Sequence, residues 1–335
     1  MIDYVKLKYR ISIPNNYFSS QKWKKSKTED GQPFYWYTKR GVKLHYYTES
    51  ELFTINGKIL MLLHDTQVQN FDDIYGGERD LFLNEVNEAI NRRFPSPILD
   101  IRNFTVSKID YCVNVETPYV EEYIDFLSRA FQMTNKGARI DYAEEDCLTG
   151  SVYVKTASDY NADVNKNYTL NFYNKADRLK YLVTNGVHVS DSDFVLAENV
   201  LRLEVQCGHQ LIKQQLAKFQ ISNTFGELFD FRIAYDTIFS VYQRVFKGNF
   251  EADYFTYDEA KKLLNSHVAA QNTLYVASSH KILGSKYAYG RKQAMTFGVY
   301  PYCFLDKRGS LSSLENPMKL LYRKLSVLGV LSKCL

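Results

Sequence analysis

The stretch from Tyr168 to Tyr181, YTLNFYNKADRLKY, places a phenol and an ammonium close together in an alternating pattern. If its first half is a strand, Leu170 and Phe172 point one way and Asn171, Tyr173 and Lys175 the other. A phenol on such a face can attack a phosphodiester in line and hold it as a phosphotyrosine. A lysine beside it can favour the phenolate or hold a non-bridging oxygen. The alternative is a solvated edge on which Lys175 covers apolar surface with its stem. The chain holds 27 tyrosines, so residue type alone selects none of them.

Two other stretches alternate in the same way. In FTVSKIDYCVNVE, Ile109, Tyr111, Val113 and Val115 form one face; Lys108, Asp110, Cys112, Asn114 and Glu116 form the other. In NVLRLEVQCG, Leu201, Leu203 and Val205 oppose Arg202, Glu204 and Gln206. If the three strands are neighbours with their apolar sides toward helices, Asp110, Tyr173 and Glu204 share the remaining face. Two carboxylates suit a hard divalent cation, magnesium or manganese, which polarises a phosphodiester oxygen.

The elements that must position these groups follow from patterning. The first 75 residues are strand-rich, with Asp30-Gly31 and Asn56-Gly57 as turn signals, the second read as a hairpin. A helix is predicted over Glu78–Phe94, ended by Pro95 and Pro97, and another over roughly Val120–Met133. Strands are predicted at Ser151–Lys155 and Tyr168–Lys175. Beyond them, helical spacing runs from Leu228 to Gly248, then from Tyr257 to about His267, then from Asn316-Pro317 to near Gly329. Strands following strands directly point to an α+β fold, mainly antiparallel, with helices on one face and the other face open for a site. The division is a body over 1–220 and a mostly helical, basic unit over 221–335, parting near Phe219–Thr224.

Composition narrows the classes. No run is long and apolar enough to span a membrane, and the first residues lack a signal-peptide centre. The five cysteines form no C-x-x-C pair, which suits a reducing cytoplasm, and the six histidines form no H-x-H or H-E-x-x-H. No G-x-x-x-x-G-K-[ST] is present, so any DNA unwinding falls to a partner helicase or to supercoiling. From Lys261 onward there are 12 Lys+Arg and 2 Asp+Glu, in a chain holding 42 and 38. That asymmetry suggests a polyanion-binding tail, in which Lys286, Arg291, Lys292, Lys307 and Arg308 mix with aromatics able to stack on unpaired bases.

VSKIDYCVNV, YTLNFYNKADRL and VLRLEVQ, in that order, resemble the gene II/X replication initiators of filamentous phages and related plasmids. The openings MIDYVKLKYRI and FTINGKILMLL are similar to that family's start, and the resemblance covers roughly residues 1–250. FYNK with LRLEV is similar also to plasmid rolling-circle initiators and some relaxases. The resemblance implies a cytoplasmic enzyme that nicks and rejoins origin DNA, double- and single-stranded, with a host helicase as partner. It carries the nucleophile onto Tyr173, a basic neighbour onto Lys175 and the metal carboxylates onto Asp110 and Glu204. It implies an antiparallel nuclease domain akin to H-U-H endonucleases, although the paired histidines of those enzymes are missing. Asn114, Glu116 and Gln206 then become candidate further ligands, and Lys108 and Arg202 candidate DNA contacts. The rival readings are a conjugative relaxase and a non-catalytic origin-binding protein.

Overall fold

A computed structural model describes residues 2–335 apart from 15–16, 19–22, 94–98, 125, 128–138, 143–150, 156–167, 247–252, 273, 277–284, 300–301, 304–312, 321–322 and 324–335. The chain opens with β1 (Ile2–Arg10), β2 (Lys24–Lys27), β3 (Pro33–Lys39), β4 (Val42–Tyr47) and β5 (Leu52–Gly57). Helices α1 (Phe71–Tyr75) and α2 (Arg79–Asn91) lead to the long β6 (Thr105–Glu116). After β7 (Arg139–Tyr142), β8 (Ser151–Lys155) and β9 (Tyr168–Asn174) come α3 (Lys175–Thr184) and α4 (Asp191–Ala197). Then follow β10 (Val200–Cys207), α5 (His209–Phe219), α6 (Phe225–Leu228) and α7 (Phe231–Phe246). The remainder holds β11 (Tyr254–Phe255), α8 (Tyr257–Leu263), α9 (Val268–Gln271), β12 (Tyr275–Val276), α10 (Ser285–Thr296), β13 (Tyr302–Cys303) and β14 (Ser313–Leu314).

The fold is α+β, built on one ten-stranded antiparallel sheet ordered β2-β3-β4-β5-β1-β6-β10-β9-β8-β7. The first strand is therefore central, and β6, β10 and β9 are consecutive neighbours. Their odd-and-even patterning sorts as the sequence dictates. Ile109, Val113, Leu170, Phe172, Leu203 and Val205 are buried in the main core. Against them pack α2, which buries Phe82, Leu83 and Val86, and α7, which buries Ile233, Ile238 and Val241. Tyr111 locks this side by donating its hydroxyl to the Leu228 carbonyl at 2.8 Å. Because α7 joins the main core, the packing continues past residue 220. A separate small cluster, including Ala260, Leu264, Ala294 and Val299, forms beyond it.

Helices cover both faces, where the sequence reading expected them on one. Leu179 of α3 and Ala197 of α4 pack with Val68 in a small cluster over the polar side of the sheet. Asp193 of α4 accepts from the Thr66 hydroxyl at 2.8 Å and from the Gln67 amide. The polar face behind β6, β10 and β9 is thus roofed, leaving a cavity where an open surface was predicted. The two helices went unpredicted because their apolar stripe is narrow and faces only that small cluster.

The Asn56-Gly57 pair is not a hairpin tip; it ends β5, and a buried 3-10 turn over Ile59–Leu62 follows. The β3–β4 hairpin instead closes through Arg40-Gly41, both at positive φ, as a two-residue primed turn requires. Gly57 is needed for contact and for conformation. Its φ is +141°, and a Cβ there would lie 2.9 Å from the Val42 Cα. Gly57→Ala should cost about 1–3 kcal/mol, read as a lowered urea midpoint with an unchanged slope.

Candidate active site

The site grows from the register of three strands. Glu204 of β10 lies opposite Cys112 of β6 and Asn171 of β9; Arg202 lies opposite Asn114 and Tyr173; Gln206 lies opposite Asp110 and Thr169. Tyr173, Glu204 and Asp110 therefore run diagonally across one face, within reach of long side chains. The Tyr173 hydroxyl donates to Glu204 Oε2 at 3.2 Å. Glu204 Oε1 accepts from Asn171 Nδ2 at 3.3 Å and from Gln206 Nε2 at 3.0 Å. Asp110 pairs with Lys108 Nζ at 3.1 Å through Oδ2.

Lys175 reaches the site by a different route from the one its spacing suggested. It is not on the β9 face, because the strand ends at Asn174, whose side chain caps α3 by accepting from the Ala176 amide at 3.0 Å. Lys175 is the first residue of that helix, buried, with its ammonium 6.0 Å from the Tyr173 ring centroid. Asn174 followed by Asp177 is a helix-start signal that marks the change.

A bulge in β1 adds the residue that sequence reasoning missed. Ile2 pairs with Tyr111 and Tyr4 with Asp110, so Asp3 is an extra residue between them. Its carboxylate accepts from Arg202 Nη1 at 2.8 Å and stands 3.9 Å from Lys58 Nζ. No composition or period signals a bulge, so Asp3 and Lys58 were not legible. Arg202, assigned to DNA from the sequence, has no exposed surface. Its Nε donates to Asn114 Oδ1 at 2.8 Å, and its Nη2 donates to the Val68 carbonyl at 2.7 Å and to Asn70 Oδ1 at 3.0 Å. Asn114, one of the expected further metal ligands, is committed to this network, also donating to the Val68 carbonyl at 3.2 Å. Glu116 is exposed at the far end of β6, opposite Val200, away from Asp110 and Glu204. Both assignments followed alternation alone, which gives the face of a residue but not its distance along the strand.

The groups surround a cavity of about 280 Å³, lined by Asp3, Tyr4, Lys58, Gln67, Lys108, Asp110, Asn171, Tyr173, Lys175, Arg178, Leu182, Glu204 and Gln206. Its electrostatics are set by burial. Burial and then the Glu204 charge push the Tyr173 phenol well up. Burial and Glu204 likewise raise the Asp110 carboxyl. Burial, with Arg202 next, holds the Lys175 ammonium well below its ordinary value. Burial also brings Lys58 down to about 8, against the pull of Asp3. Burial alone would raise Asp3, but Arg202, Lys58 and Lys175 outweigh it and hold its carboxyl low. The resting cavity is thus a protonated phenol on a carboxylate, among cations short of counter-charge.

The donor set suits a hard cation. Asp110 Oδ1 and Asn171 Oδ1 are buried oxygens without a hydrogen-bond partner, and both residues line the cavity beside Glu204. Among the described residues no group of three or more His, Cys, Asp or Glu converges, so any such cation would rely on two carboxylates and amide oxygens. Of the tail cations, Lys292 is exposed on α10 beside Tyr289, which is 61% exposed; Lys286 and Arg291 belong to the same helix, their side chains outside the described set. Lys307 and Arg308 lie outside the described residues. No described helix is long and apolar enough to cross a membrane. No family model, curated protein or solved structure matches the chain.

Asp3→Asn should leave a buried guanidinium without its counter-charge and cost about 3–5 kcal/mol at neutral pH, measured by urea unfolding. The folded Asp3 carboxyl is depressed, so its contribution is in place above the ordinary carboxylate range and is lost as pH falls through the folded value. The gap between variant and wild type should therefore close in strong acid.

Proposed function

We propose that the chain is a replication initiator of the rolling-circle kind, which nicks one DNA strand at its origin and rejoins it through Tyr173. The observation that carries this reading is the Tyr173 hydroxyl on Glu204 at 3.2 Å, in a cavity walled by Lys58, Lys108, Lys175 and Arg178. A phenol held on a carboxylate has a base to take its proton. Surrounding ammonium and guanidinium groups favour a phosphodiester as the group that enters. The antiparallel sheet, with Tyr173, Glu204 and Asp110 on three adjacent strands, agrees with the nuclease architecture that the sequence resemblance implies.

Entry of a phosphodiester supplies the negative charge that the buried lysines lack and so favours the ammonium forms of Lys175 and Lys58. Glu204 accepts the Tyr173 proton as the phenol oxygen bonds to phosphorus. The bond from phosphorus to the 3′ oxygen breaks, and that oxygen takes up a proton at the Lys108–Asp110 wall. The 5′ phosphate stays on Tyr173 and keeps the bond energy, so attack by a 3′ hydroxyl reseals the strand without a nucleotide cofactor. A divalent cation, magnesium or manganese, would be held by Asp110, Glu204 and Asn171 and would supply charge for the phosphoryl oxygens. The exposed Lys292 of α10 would add non-specific hold on the origin.

The test is covalent trapping. Full-length protein is mixed with a supercoiled plasmid of its own replicon and divalent metal, and the adduct is digested and mapped. A 5′-phosphotyrosine at Tyr173, absent in Tyr173→Phe, is the expected result. Glu204→Gln should slow adduct formation about 10²–10⁴-fold, and Lys175→Met about 10²–10³-fold, with the fold retained by circular dichroism. Origin binding without any adduct under either metal would support the non-catalytic reading instead.

A further inference from the structure

The cavity opens onto a second surface that the tail assignment overlooked. The polar face continues from β6 across β1, β5, β4 and β3 to β2. Lys6 of β1 is paired directly with Lys108, and Tyr4 with Asp110, so the cavity wall and this face are one surface. Lys108 Nζ lies 5.0 Å from the Tyr4 ring centroid at the junction. From there Lys6, Lys8, Arg10, Lys43 and Lys24 are exposed, and the one acid of β1–β5 is Asp3, turned at the bulge onto Arg202.

Aromatic rings complete the far side. Phe34 and Tyr47 are cross-strand partners stacked at 5.5 Å, and Trp36 pairs with His45 on the same face. Lys24 sits over the Trp36 ring at 4.9 Å. These rings are half-buried and stand outside the main core cluster, whereas Tyr35 and Tyr37 of the same strand pack against it on the opposite face. Core formation therefore does not account for three large rings at these positions.

We infer that the outer face of β1–β5 is a platform for single-stranded DNA, on which bases stack on Phe34, Trp36 and Tyr47 while Lys6, Lys8 and Arg10 carry the backbone to the Tyr173 cavity. Charge selects a polyanion, and ring faces set in a shallow sheet surface select unpaired bases. A duplex hides those base faces, and among the described residues no helix projects from this surface to enter a groove. The delivery of the strand to Tyr173 rests on the proposed nicking reaction; the binding itself does not.

The chain's two tryptophans make the test direct, because Trp23 is buried and Trp36 lies on the platform. Full-length Tyr173→Phe protein, without divalent metal, is titrated with oligothymidylate while tryptophan emission and oligonucleotide anisotropy are followed. Saturable quenching is expected, retained in Trp23→Phe and lost in Trp36→Phe. A Trp36→Ala, Lys6→Gln, Lys8→Gln variant should bind about tenfold or more weakly, with a salt slope shallower by about 0.7 for each cation removed. Binding without quenching in Trp23→Phe, full affinity in the triple variant, or equal competition by a duplex of the same length would each overturn the platform. Failure of the Tyr173 adduct with quenching intact would remove the nicking reaction and leave the platform. An adduct without quenching would do the reverse.

Discussion

The guanidinium of Arg202 has no contact with solvent, yet it ties together three strands and a loop. It holds Asn114 of β6, Asp3 of β1, and Val68 and Asn70 from the segment that roofs the sheet. A buried cation is costly unless its donors are met with good geometry, and here four partners meet it between 2.7 and 3.0 Å. That requirement explains features that would otherwise look unrelated. The bulge at Asp3 turns a carboxylate toward Arg202, and Asn114 is spent on the guanidinium. The 66–70 segment is drawn down over β6 and β10, carrying Val68 into contact with α3 and α4.

The roof in turn makes the chemistry. With α3 and α4 held over the polar face, Tyr173, Asp110 and Lys175 are each nearly buried, and burial is the largest influence on all three. In water a tyrosine beside a glutamate would be an unremarked hydrogen bond. In this cavity burial biases the phenol to keep its proton and the lysine to lose its own, and an entering negative charge favours the lysine's ammonium form. On the proposed reading, a phosphate that fills the cavity supports the cation that steadies the phenol oxygen as its proton passes to Glu204.

Much of this was legible because alternation is a strong constraint. Once β6, β9 and β10 were recognised, the period of two fixed which face Asp110, Tyr173 and Glu204 occupy. The same rule misled where it was extended past an element's end. Lys175 continued the count but began a helix, and its place near Tyr173 comes from the Asn174 cap. Glu116 and Asn114 obeyed the period, but one lies too far along β6 and the other serves Arg202. Asp3 and Lys58 could not be read at all, since a bulge and a loop approach depend on partners far away in sequence. Arg202 looked like a surface cation because arginine is seldom fully buried, and only a partner set as complete as this one overturns that expectation.

The outer face of the sheet raises the converse question, why a protein should leave rings such as Trp36 and Tyr47 half-covered on a flat surface. Sheet edges and open faces normally carry charges to prevent association with other chains. Here the lysines of β1, β2 and β4 do carry that charge, but all of one sign and set among aromatics. Mixed-sign charge would protect as well without attracting polyanions, so protection alone does not explain the pattern. A surface that repels copies of itself, attracts phosphate and offers π-faces to bases satisfies both demands with the same residues. Its continuity with the Tyr173 cavity through the Lys6–Lys108 and Tyr4–Asp110 pairs would let one strand of nucleic acid meet both. On the proposed reading the ten-stranded sheet works as a single instrument, with β1–β5 to hold a strand and β6, β9 and β10 to act on it.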